Sequence, residues 1–424
     1  MKIIHVTAGI QETCGVSQFV VNIARAQQVA GHEVEIVTTM TCGFPVDDLK
    51  VVLTETPVAA VEKAVGGKSD RDVVLHLHTL FGRYCISVAR WARMNHVPYV
   101  ISPHGALMPN AVKVNYWKKW IFLRLFSKEF QSAAGFHVTA KSEVEAVKRF
   151  FGKTRPIVLA PLGATLSSSN QTILNSKSSN SLYRDVVFVG RIHPVKNLTS
   201  LIRAWALLKK GIGVSVEESD VSKDELNRHC PPPSLFSTFS PRLVIAGSND
   251  VGHQEELVEL AKELGLKVVD FSHDLEFGKK TIFGGGEVPL ETFQSRLADC
   301  VADVVFAGPV YSAAKDWMFA HACVSVLPSH SENFGGVVVE SLAQGTPIIA
   351  SKGTPWQALE ENACGWWVDA TPERLAETLS IALRMSEFER SERSAKANEF
   401  VRREFSWDSS ARKVTELYGK IVNK

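Results

Sequence analysis

Two segments in the second half of the chain carry residues suited to binding a phosphorylated ligand. In VVFVGRIHPVK, Arg191 and Lys196 lie five residues apart on the loop that leaves a predicted strand. A guanidinium offers a planar set of N–H donors and an ammonium a compact charge, so both can converge on one phosphate group. The alternative interpretation of this segment is a solvated basic turn before a helix.

The second segment, SHSENFGGVVVES, has a carboxylate on either side of a glycine pair. An apolar run before it predicts a buried strand, and Gly335 and Gly336 predict the start of a helix, whose N-terminal amides attract anions. Glycines at this point also allow a ligand to approach the backbone closely. Together the two segments predict a site for a diphosphate.

The two carboxylates are expected to accept hydrogen bonds from hydroxyl groups on either side of that diphosphate. Glu340 lies about one turn into the predicted helix, which suits a ribose, and Glu332 precedes the helix, which suits a sugar beyond the diphosphate. The alternatives are a helix-capping Glu332 and a solvated Glu340. The valines before Glu340 would also permit a strand.

An alternation of strand-like and helix-like segments must position these residues. Helical segments include 16–30 and 80–95. Two blocks of such alternation predict an α/β protein with two Rossmann-like parallel-sheet domains facing a cleft, with ligands bound at the carboxyl ends of the strands. Strands are predicted at Ile3–Val6, Val34–Thr38, Val73–Leu77, Tyr99–Ser102, Gly135–Val138, Ile157–Leu159, Val186–Val189, Leu243–Ala246, Val304–Phe306, Val324–Leu327, Ile348–Ala350 and Trp366–Val368.

The domain boundaries follow from the same pattern. We place an N-terminal domain at 1–165, a Ser- and Asn-rich linker at 166–184, and a C-terminal domain at 185–404. Two stretches, near 211–241 and 271–300, are expected to be surface insertions. The second contains a triple glycine that does not join a strand to a helix as a phosphate-binding loop would.

Composition sets further limits. The chain has 424 residues, of which 45% are hydrophobic and 22% charged, as in ordinary soluble proteins of two or three domains. A formal net charge of +2 gives no indication of a nucleic-acid partner. The 7 cysteines form no C-x-x-C pair, which argues against a disulfide framework or zinc site and favours a reducing compartment. The start, MKIIHVTAGI, is too short an apolar stretch for a signal peptide, and no uninterrupted apolar run could cross a bilayer.

The spacing Glu332-x7-Glu340 and the turn Gly190-Arg191-x4-Lys196 resemble those of retaining glycosyltransferases of family four, which have the GT-B fold. The resemblance covers nearly the whole chain. It implies a retaining, hexosyltransferase-type enzyme that uses a sugar nucleotide, UDP- or GDP-linked. The segments that resemble the bacterial surface-polysaccharide branch are ISPHGALMPNAV, HVTAKSEVEAV, FAGPVYSAAKDWMFAHACVSVLPSHSENFG and SKGTPWQALEENACGWWV.

This branch implies a glycan or a polyprenyl-diphosphate-linked acceptor, in the assembly of O-antigen, capsule or exopolysaccharide. The implied mechanism is a front-face substitution in which the leaving phosphate takes the proton of the acceptor, so we name no side-chain base. No metal and no cofactor is implied. The implied location is cytoplasmic, with peripheral contact to the inner face of the plasma membrane.

The resemblance also implies roles for individual residues. Arg191 and Lys196 would neutralise the diphosphate, Glu340 would bind the ribose, Glu332 the transferred sugar, and His104 would lie near the reacting face of that sugar. The residues implied in catalysis are His104, Glu332, Arg191 and Lys196, and those implied in donor binding are Gly15, Gly190, Arg191, Lys196, Val310, Glu332, Asn333, Phe334, Gly335, Gly336 and Glu340.

The chain departs from the family pattern at two points. Cys14 stands where the first glycine of a pair before the first helix is usual, and Pro161–Gly163 reads Pro-Leu-Gly rather than Pro-Asn-Gly. The final segment, about 405–424, with Trp407 and Tyr418, would return to the first domain as the last helix of the family does.

Histidines of the first domain have two interpretations. His76 and His78 alternate in VLHLHT and so share one face of a strand; they would suit a metal pair, but the sequence shows no third ligand, and we predict cleft-lining or core histidines. His104, which precedes a glycine, would by itself suit a turn residue.

One further segment, 112–128, interleaves lysines and arginine with aromatic residues. A helix of this kind suits an anionic bilayer, and the alternative is a helix with one core face and one solvated basic face.

For the whole chain, the alternative functions are a GT-B epimerase or phosphorylase, and a catalytically silent subunit that binds a sugar nucleotide.

Overall fold

The computed structural model describes residues 1–11, 14–42, 45–66, 72–113, 115–164, 185–211, 241–249, 251–271, 290–298 and 300–422. The predicted linker at 166–184 and most of the two predicted insertions lie outside these residues. The chain divides into two compact units, Met1–Thr165 with Glu404–Lys424, and Leu166–Arg403.

The first unit contains a parallel sheet flanked by helices. Its strands are β1 (Lys2–Val6), β3 (Glu33–Thr38), β5 (Lys50–Leu53), β6 (Val73–His78), β7 (Tyr99–Ser102), β8 (Gly135–Val138) and β9 (Ile157–Leu159). A separate short pair is formed by β2 (Ile10–Gln11) and β4 (Thr41–Cys42). The seven-stranded sheet has the order β5-β3-β1-β6-β7-β8-β9. The helices are α1 (Gly15–Val29), α2 (Pro57–Val65), α3 (Arg83–Met94), α4 (Pro109–Lys113), α5 (Tyr116–Leu125), α6 (Ser127–Gln131) and α7 (Lys141–Phe151).

The second unit repeats this architecture. Its strands are β10 (Val186–Val189), β11 (Leu243–Ala246), β12 (Val268–Asp270), β13 (Val304–Gly308), β14 (Val324–Leu327), β15 (Ile348–Ser351) and β16 (Gly365–Val368). They form a parallel sheet of order β12-β13-β11-β10-β14-β15-β16. A short 3₁₀ turn, Pro194–Lys196, precedes the helices, which are α8 (Leu198–Lys209), α9 (His253–Glu263), α10 (Leu290–Ala298), α11 (Ser312–Ala320), α12 (Gly336–Ala343), α13 (Ala358–Glu361), α14 (Pro372–Arg384) and α15 (Glu387–Glu404).

The strands form because their apolar runs can be buried on both faces of each sheet. Every residue of β6, β7, β11 and β14 is buried, as expected for central parallel strands covered by helices. The prediction of an α/β protein with two parallel-sheet domains is therefore confirmed.

The predicted strands all occur, but two edge strands were not predicted. These are β5 and β12, each at the end of its sheet. Edge strands bury less surface, both have only partly buried residues in their centres, and each includes a charged residue, Lys50 in β5 and Asp270 in β12. Segment 112–128 also differs from the single helix that was predicted, because parts of three short helices, α4, α5 and α6, occupy it.

The last helix, α16 (Trp407–Val422), belongs to the first unit. The Ser410 hydroxyl donates to the Pro161 carbonyl at 2.7 Å. A Cβ on Gly163 would lie 2.6 Å from the Trp407 ring, so only glycine leaves room for the start of this helix. The glycine of the Pro-Leu-Gly segment is thus explained by packing.

No helix among the described residues combines the length and the apolar character needed to span a membrane.

Candidate active site

The predicted phosphate-binding residues lie at the carboxyl end of the second sheet, where strand order reverses. From β10, the chain continues through β11 on one side of it, and β14 lies on the other side. In open parallel sheets such a reversal leaves a crevice outside the strand ends, where ligands bind. Gly190–Lys196 follow β10, and Ser329–Gly336 follow β14, so two distant parts of the sequence border one crevice.

Backbone contacts hold these two loops together. The His330 amide donates to the Val195 carbonyl at 2.9 Å, and the Glu332 amide donates to the Gly353 carbonyl at 3.1 Å. Gly353 must be glycine, because a Cβ there would lie 2.4 Å from the His330 carbonyl oxygen. The acidic loop is therefore fixed by the backbone on both sides.

Lys196 and Glu332 form an ion pair across this corner. Residues 136 apart in sequence meet here, Lys196 Nζ donating to Glu332 Oε1, and the Ser329 hydroxyl donates to the same oxygen at 2.8 Å. Both charged side chains are largely buried, with 15% and 14% exposed. Glu332 does not cap the following helix, whose N-terminus has no side-chain cap.

The helix α12 begins at the predicted glycines. Gly335 has a φ of 75°, a left-handed conformation that favours glycine, and a Cβ there would lie 3.0 Å from Leu327 Cδ2. The Trp356 indole donates to the Phe334 carbonyl and fixes the approach to the helix. The first amides of a helix lack intrahelical acceptors and can bind an anion.

Glu340 lies on the first turns of α12 and pairs with a lysine that sequence analysis missed. Its carboxylate is 2.9 Å from Lys315 Nζ on α11, and 35% of the Glu340 side chain is exposed. Next to Lys315 on α11, burial raises the pKa of Asp316. The positive charge of Lys315 opposes that rise, and the negative charge of Glu340 adds to it. The sequence feature that could have indicated Lys315 is its position in YSAAKDW, in the helical segment before the strand that leads into the acidic loop.

Arg191 and Val310 differ in their surroundings. Arg191 is exposed and pairs with no carboxylate in the part of the chain that the structure describes. Val310, implied in donor binding, is only 8% exposed and packs in the apolar cluster beneath β11 and β13. Gly190 is held against the next loop, since a Cβ on Gly247 would lie 1.8 Å from the Gly190 carbonyl oxygen.

Gly15 and His104 belong to the first unit. Gly15 begins α1 after Cys14, and a Cβ at Gly15 would meet nothing within 4 Å, so packing of the described residues does not require this glycine. His104 follows β7 and has a φ of 48°, which is unusual for a residue with a side chain. The buried Glu143 carboxylate accepts the Gly105 amide and so holds this turn.

The strand histidines are core residues, but the expectation that they lack a third neighbour was wrong. His5 on β1 lies beside His76 and His78, and a ligand atom from each of the three lies within 4.8 Å of the others. All three are completely buried. Burial lowers the pKa of His5 to about 4 and holds the pKa of His76 and of His78 well below the ordinary value.

We expect acid to destabilise the first unit through these histidines. A histidine that is buried and neutral in the folded state gains its proton on unfolding, so the unfolded state binds more protons between pH 6.5 and about 4. The contribution of the neutral histidines to the free energy of unfolding should therefore be complete above pH 6.5. It should decrease as the pH falls through this range, by on the order of 3 kcal/mol for His5 alone. Urea unfolding at pH 7.5, 6 and 5 would measure it, and equal stability at these pH values would contradict the neutral burial of the cluster.

Comparison with known proteins places both sheets in one fold. Residues 14–163 match the family model of the glycosyl transferase 4-like domain, and residues 279–400 match that of the glycosyl transferases group 1. Sucrose-phosphate synthase from Thermosynechococcus elongatus superposes with a TM-score of 0.65 at 17% identity, covering 100% of this chain and 99% of that chain. The Anabaena protein HepE, solved with UDP and glucose, superposes with a TM-score of 0.63 at 16% identity, covering 98% of each chain.

These two parallel sheets, each flanked by helices, match the GT-B glycosyltransferase fold. Within that fold, the second part of the chain matches the group 1 glycosyltransferases, and the first part matches the glycosyl transferase 4-like domain. The D-inositol 3-phosphate glycosyltransferase of Acidothermus cellulolyticus is 28% identical over 238 residues, which are 55% of this chain and 40% of that protein. The chain thus spans less than half the length of this relative.

Proposed function

We propose that the protein transfers a sugar, with retention of anomeric configuration, from a nucleoside diphosphate to a hydroxyl of a glycan or lipid-linked glycan in surface-polysaccharide assembly. The observation that carries the proposal is the corner where Lys196, Glu332 and the N-terminus of α12 meet beside Arg191. It combines two cations and helix amides, which suit a diphosphate, with carboxylates that suit hydroxyl groups. HepE, which shares the fold, was solved with UDP and glucose, and this supports a sugar nucleotide as the donor.

The chemistry follows from the charges at this corner. Breaking the anomeric bond leaves an oxocarbenium-like sugar and adds negative charge to the departing phosphate. Arg191, Lys196 and the amides of α12 would stabilise that charge more in the transition state than in the ground state, which is the requirement for catalysis. Because Lys196 is paired with Glu332, a diphosphate bound at this corner would share or displace that pair. No metal and no cofactor is needed for this step.

A thermal-shift screen of nucleotides tests the donor class. A ligand that binds only the folded state raises its stability by mass action. We expect UDP or GDP to raise the melting temperature more than the matching monophosphate, because only the diphosphate engages the whole corner. No rise with UDP, GDP, ADP or dTDP would contradict the proposal. Consumption of a sugar nucleotide without any acceptor, giving an isomeric sugar nucleotide, would instead identify an epimerase.

We place the acceptor at a membrane because of the outer face of α5. No residue of this helix is fully buried. Phe122 and Leu123 pack against the core of the first unit, while Trp117 is 71% and Leu125 70% exposed. Trp120 and Ile121 are exposed beside them, and the Arg124 guanidinium lies 5.2 Å from the Trp120 ring centroid. Aromatic and aliphatic side chains flanked by cations are suited to the interface of an anionic bilayer.

The membrane contact should depend on exposed cations of this face. Lys119 is a poor choice for substitution, since its ammonium donates to the Ala111 carbonyl and lies 5.3 Å from the Phe81 ring centroid. We expect a variant with Lys118 and Arg124 of α5 and the adjacent Lys128 of α6 changed to Gln to bind vesicles containing anionic lipid roughly a hundredfold more weakly, because each cation near such a surface contributes about 1 kcal/mol. Vesicle co-sedimentation at low and high salt would measure this.

A matched control removes three exposed cations elsewhere in the first unit, Lys141, Arg149 and Lys153, in the same way. It should bind as the unaltered protein does. Equal binding by both variants, or no binding by the unaltered protein, would rule out this face as a membrane contact.

A further inference from the structure

A chain of hydrogen bonds through the first unit ends on His104. It runs between strands β1, β6, β7 and β8 and helices α1 and α16. Four of its histidines are completely buried, and the fifth, His104, is partly exposed. The histidines are His5, His76, His78, His104 and His137.

One end of the chain is fixed by a carbonyl group, which can only accept. His137 Nε2 lies 2.8 Å from the Ala160 carbonyl oxygen, so this nitrogen carries the proton and Nδ1 accepts. The Ser102 hydroxyl must then donate to His137 Nδ1, at 2.6 Å, and accept from His76 Nε2, also at 2.6 Å. His76 Nδ1 is left to accept from the Tyr418 hydroxyl, at 2.5 Å.

This assignment orients the Gln27 amide. Because Tyr418 donates to His76, its oxygen can only accept from Gln27, which should turn its amide nitrogen toward Tyr418. Burial raises the pKa of Tyr418 and Gln27 opposes the rise, which is the sign expected of an N–H directed at the phenol oxygen. The contact is loose, since the Gln27 nitrogen has no partner of strict hydrogen-bond geometry among the described residues. The Gln27 oxygen then faces His5 Nε2, at 2.8 Å.

The remaining protons follow in order. His5 Nε2 donates to Gln27, so His5 Nδ1 accepts from His78 Nε2, at 2.9 Å. His78 Nδ1 in turn accepts from His104 Nε2, at 3.0 Å. His104 is therefore protonated on Nε2, and its Nδ1 keeps a lone pair with no hydrogen-bond partner in the described parts of the chain.

We propose that Gln27, His5 and His78 are positioning residues that hold His104 in the Nε2–H tautomer and present its Nδ1 as a hydrogen-bond acceptor for a substrate hydroxyl. The identification of that hydroxyl as one of a sugar rests on the proposed function. Burial lowers the pKa of His104 to about 3, so the ring is neutral near pH 7. Phe19 covers the chain, stacked on His137 at 4.7 Å and edge-on to His104 at 5.5 Å between ring centroids, which limits the access of water.

A metal ion at His5, His76 and His78 is the competing explanation of the cluster. Each of these rings already uses both nitrogens, His5 with Gln27 and His78, His76 with Tyr418 and Ser102, and His78 with His5 and His104. An ion would have to displace hydrogen bonds that satisfy buried groups, which is costly. The hydrogen-bonded chain therefore accounts for the cluster.

Tautomers can be read directly from two-bond ¹H–¹⁵N correlation spectra of protein labelled in its 13 histidines, assigned by single substitutions. We expect all five rings to be neutral Nε2–H tautomers at pH 7. In Gln27→Met, His5 Nε2 loses its acceptor. The hydrogen bonds from His5 through His78 to His104 should then reverse their donor direction, and His104 should become the Nδ1–H tautomer. His137 should stay unchanged, because the Ala160 carbonyl holds it, and it serves as an internal control.

A second variant, His5→Phe, should reverse His104 in the same way and keeps the proposal testable if Gln27→Met fails to fold. Gln28→Met, an exposed change on the same helix, is the matched control and should leave every tautomer in place. An Nδ1–H tautomer of His104 in the unaltered protein, an unchanged His104 in both core variants, or stoichiometric metal on the purified protein would overturn the proposal. These spectra require no sugar nucleotide, so their outcome is separable from the failure of the proposed function.

Discussion

Arg191→Ala and Lys196→Ala should each lower the rate of sugar transfer at least tenfold, but only Lys196→Ala should also destabilise the protein. Hydrogen bonds to charged groups contribute roughly 1.5–3 kcal/mol each, and about 1.4 kcal/mol corresponds to a factor of ten. Arg191 is exposed and holds no carboxylate among the described residues, so the fold does not depend on it. Removing Lys196 leaves the largely buried Glu332 without its cation, which should cost about 1–3 kcal/mol of unfolding free energy.

Steady-state transfer kinetics and urea unfolding on the same preparations would separate these effects. Arg203→Ala, an exposed arginine on α8 of the same unit, controls for the loss of a positive charge and should change neither quantity. Near-normal turnover in Arg191→Ala or Lys196→Ala would show that the corner does not bind the leaving diphosphate.

Replacement of Glu340 should mainly impair binding of the nucleoside diphosphate, and replacement of Glu332 should mainly impair sugar transfer. Glu340→Gln should weaken binding of the nucleoside diphosphate about tenfold or more, because the ribose is present in that ligand and a carboxylate–hydroxyl bond is charge-assisted. Glu332→Gln should leave this affinity unchanged or raise it, since Lys196 is freed from its ion pair, while transfer is largely lost because the sugar hydroxyl loses its partner.

Calorimetry with the nucleoside diphosphate and transfer kinetics with the full donor would measure the two effects. Glu361→Gln, an isosteric change of an exposed carboxylate in the same unit, is the control and should behave as the unaltered protein does. If Glu332→Gln abolished binding of the free nucleoside diphosphate, or Glu340→Gln left it unchanged, the division of roles would be wrong.

The fold was predictable from sequence because parallel strands buried on both faces appear as short apolar runs. Segments such as Val324–Leu327 and Tyr99–Ser102 have the predicted bounds. The edge strands β5 and β12 were missed because half-exposed strands mix polar with apolar residues. The break of segment 112–128 into short helices was missed as well, since periodicity does not reveal where a helix is interrupted when both sides are apolar and basic.

The candidate site was predictable only in part, because sequence shows spacing but not ion pairs. The expectation of carboxylates near a diphosphate site identified Glu332 and Glu340, yet each acid is paired with a lysine, and Lys315 comes from a helix that sequence alone did not connect with the acidic loop. Likewise, His76 and His78 share a strand face in the sequence, but the neighbouring His5 lies about 70 residues earlier and joins them only through strand pairing.

The central claim is that the corner formed by Lys196, Glu332 and the start of α12 binds the donor diphosphate. A crystal structure with the nucleoside diphosphate selected by the thermal screen tests it most directly. We predict the terminal phosphate against Arg191, Lys196 and the amides near Gly335, with the ribose hydroxyls on Glu340. A nucleotide bound elsewhere, or one whose ribose approaches Glu332 while its phosphates lie away from Lys196, would contradict the account.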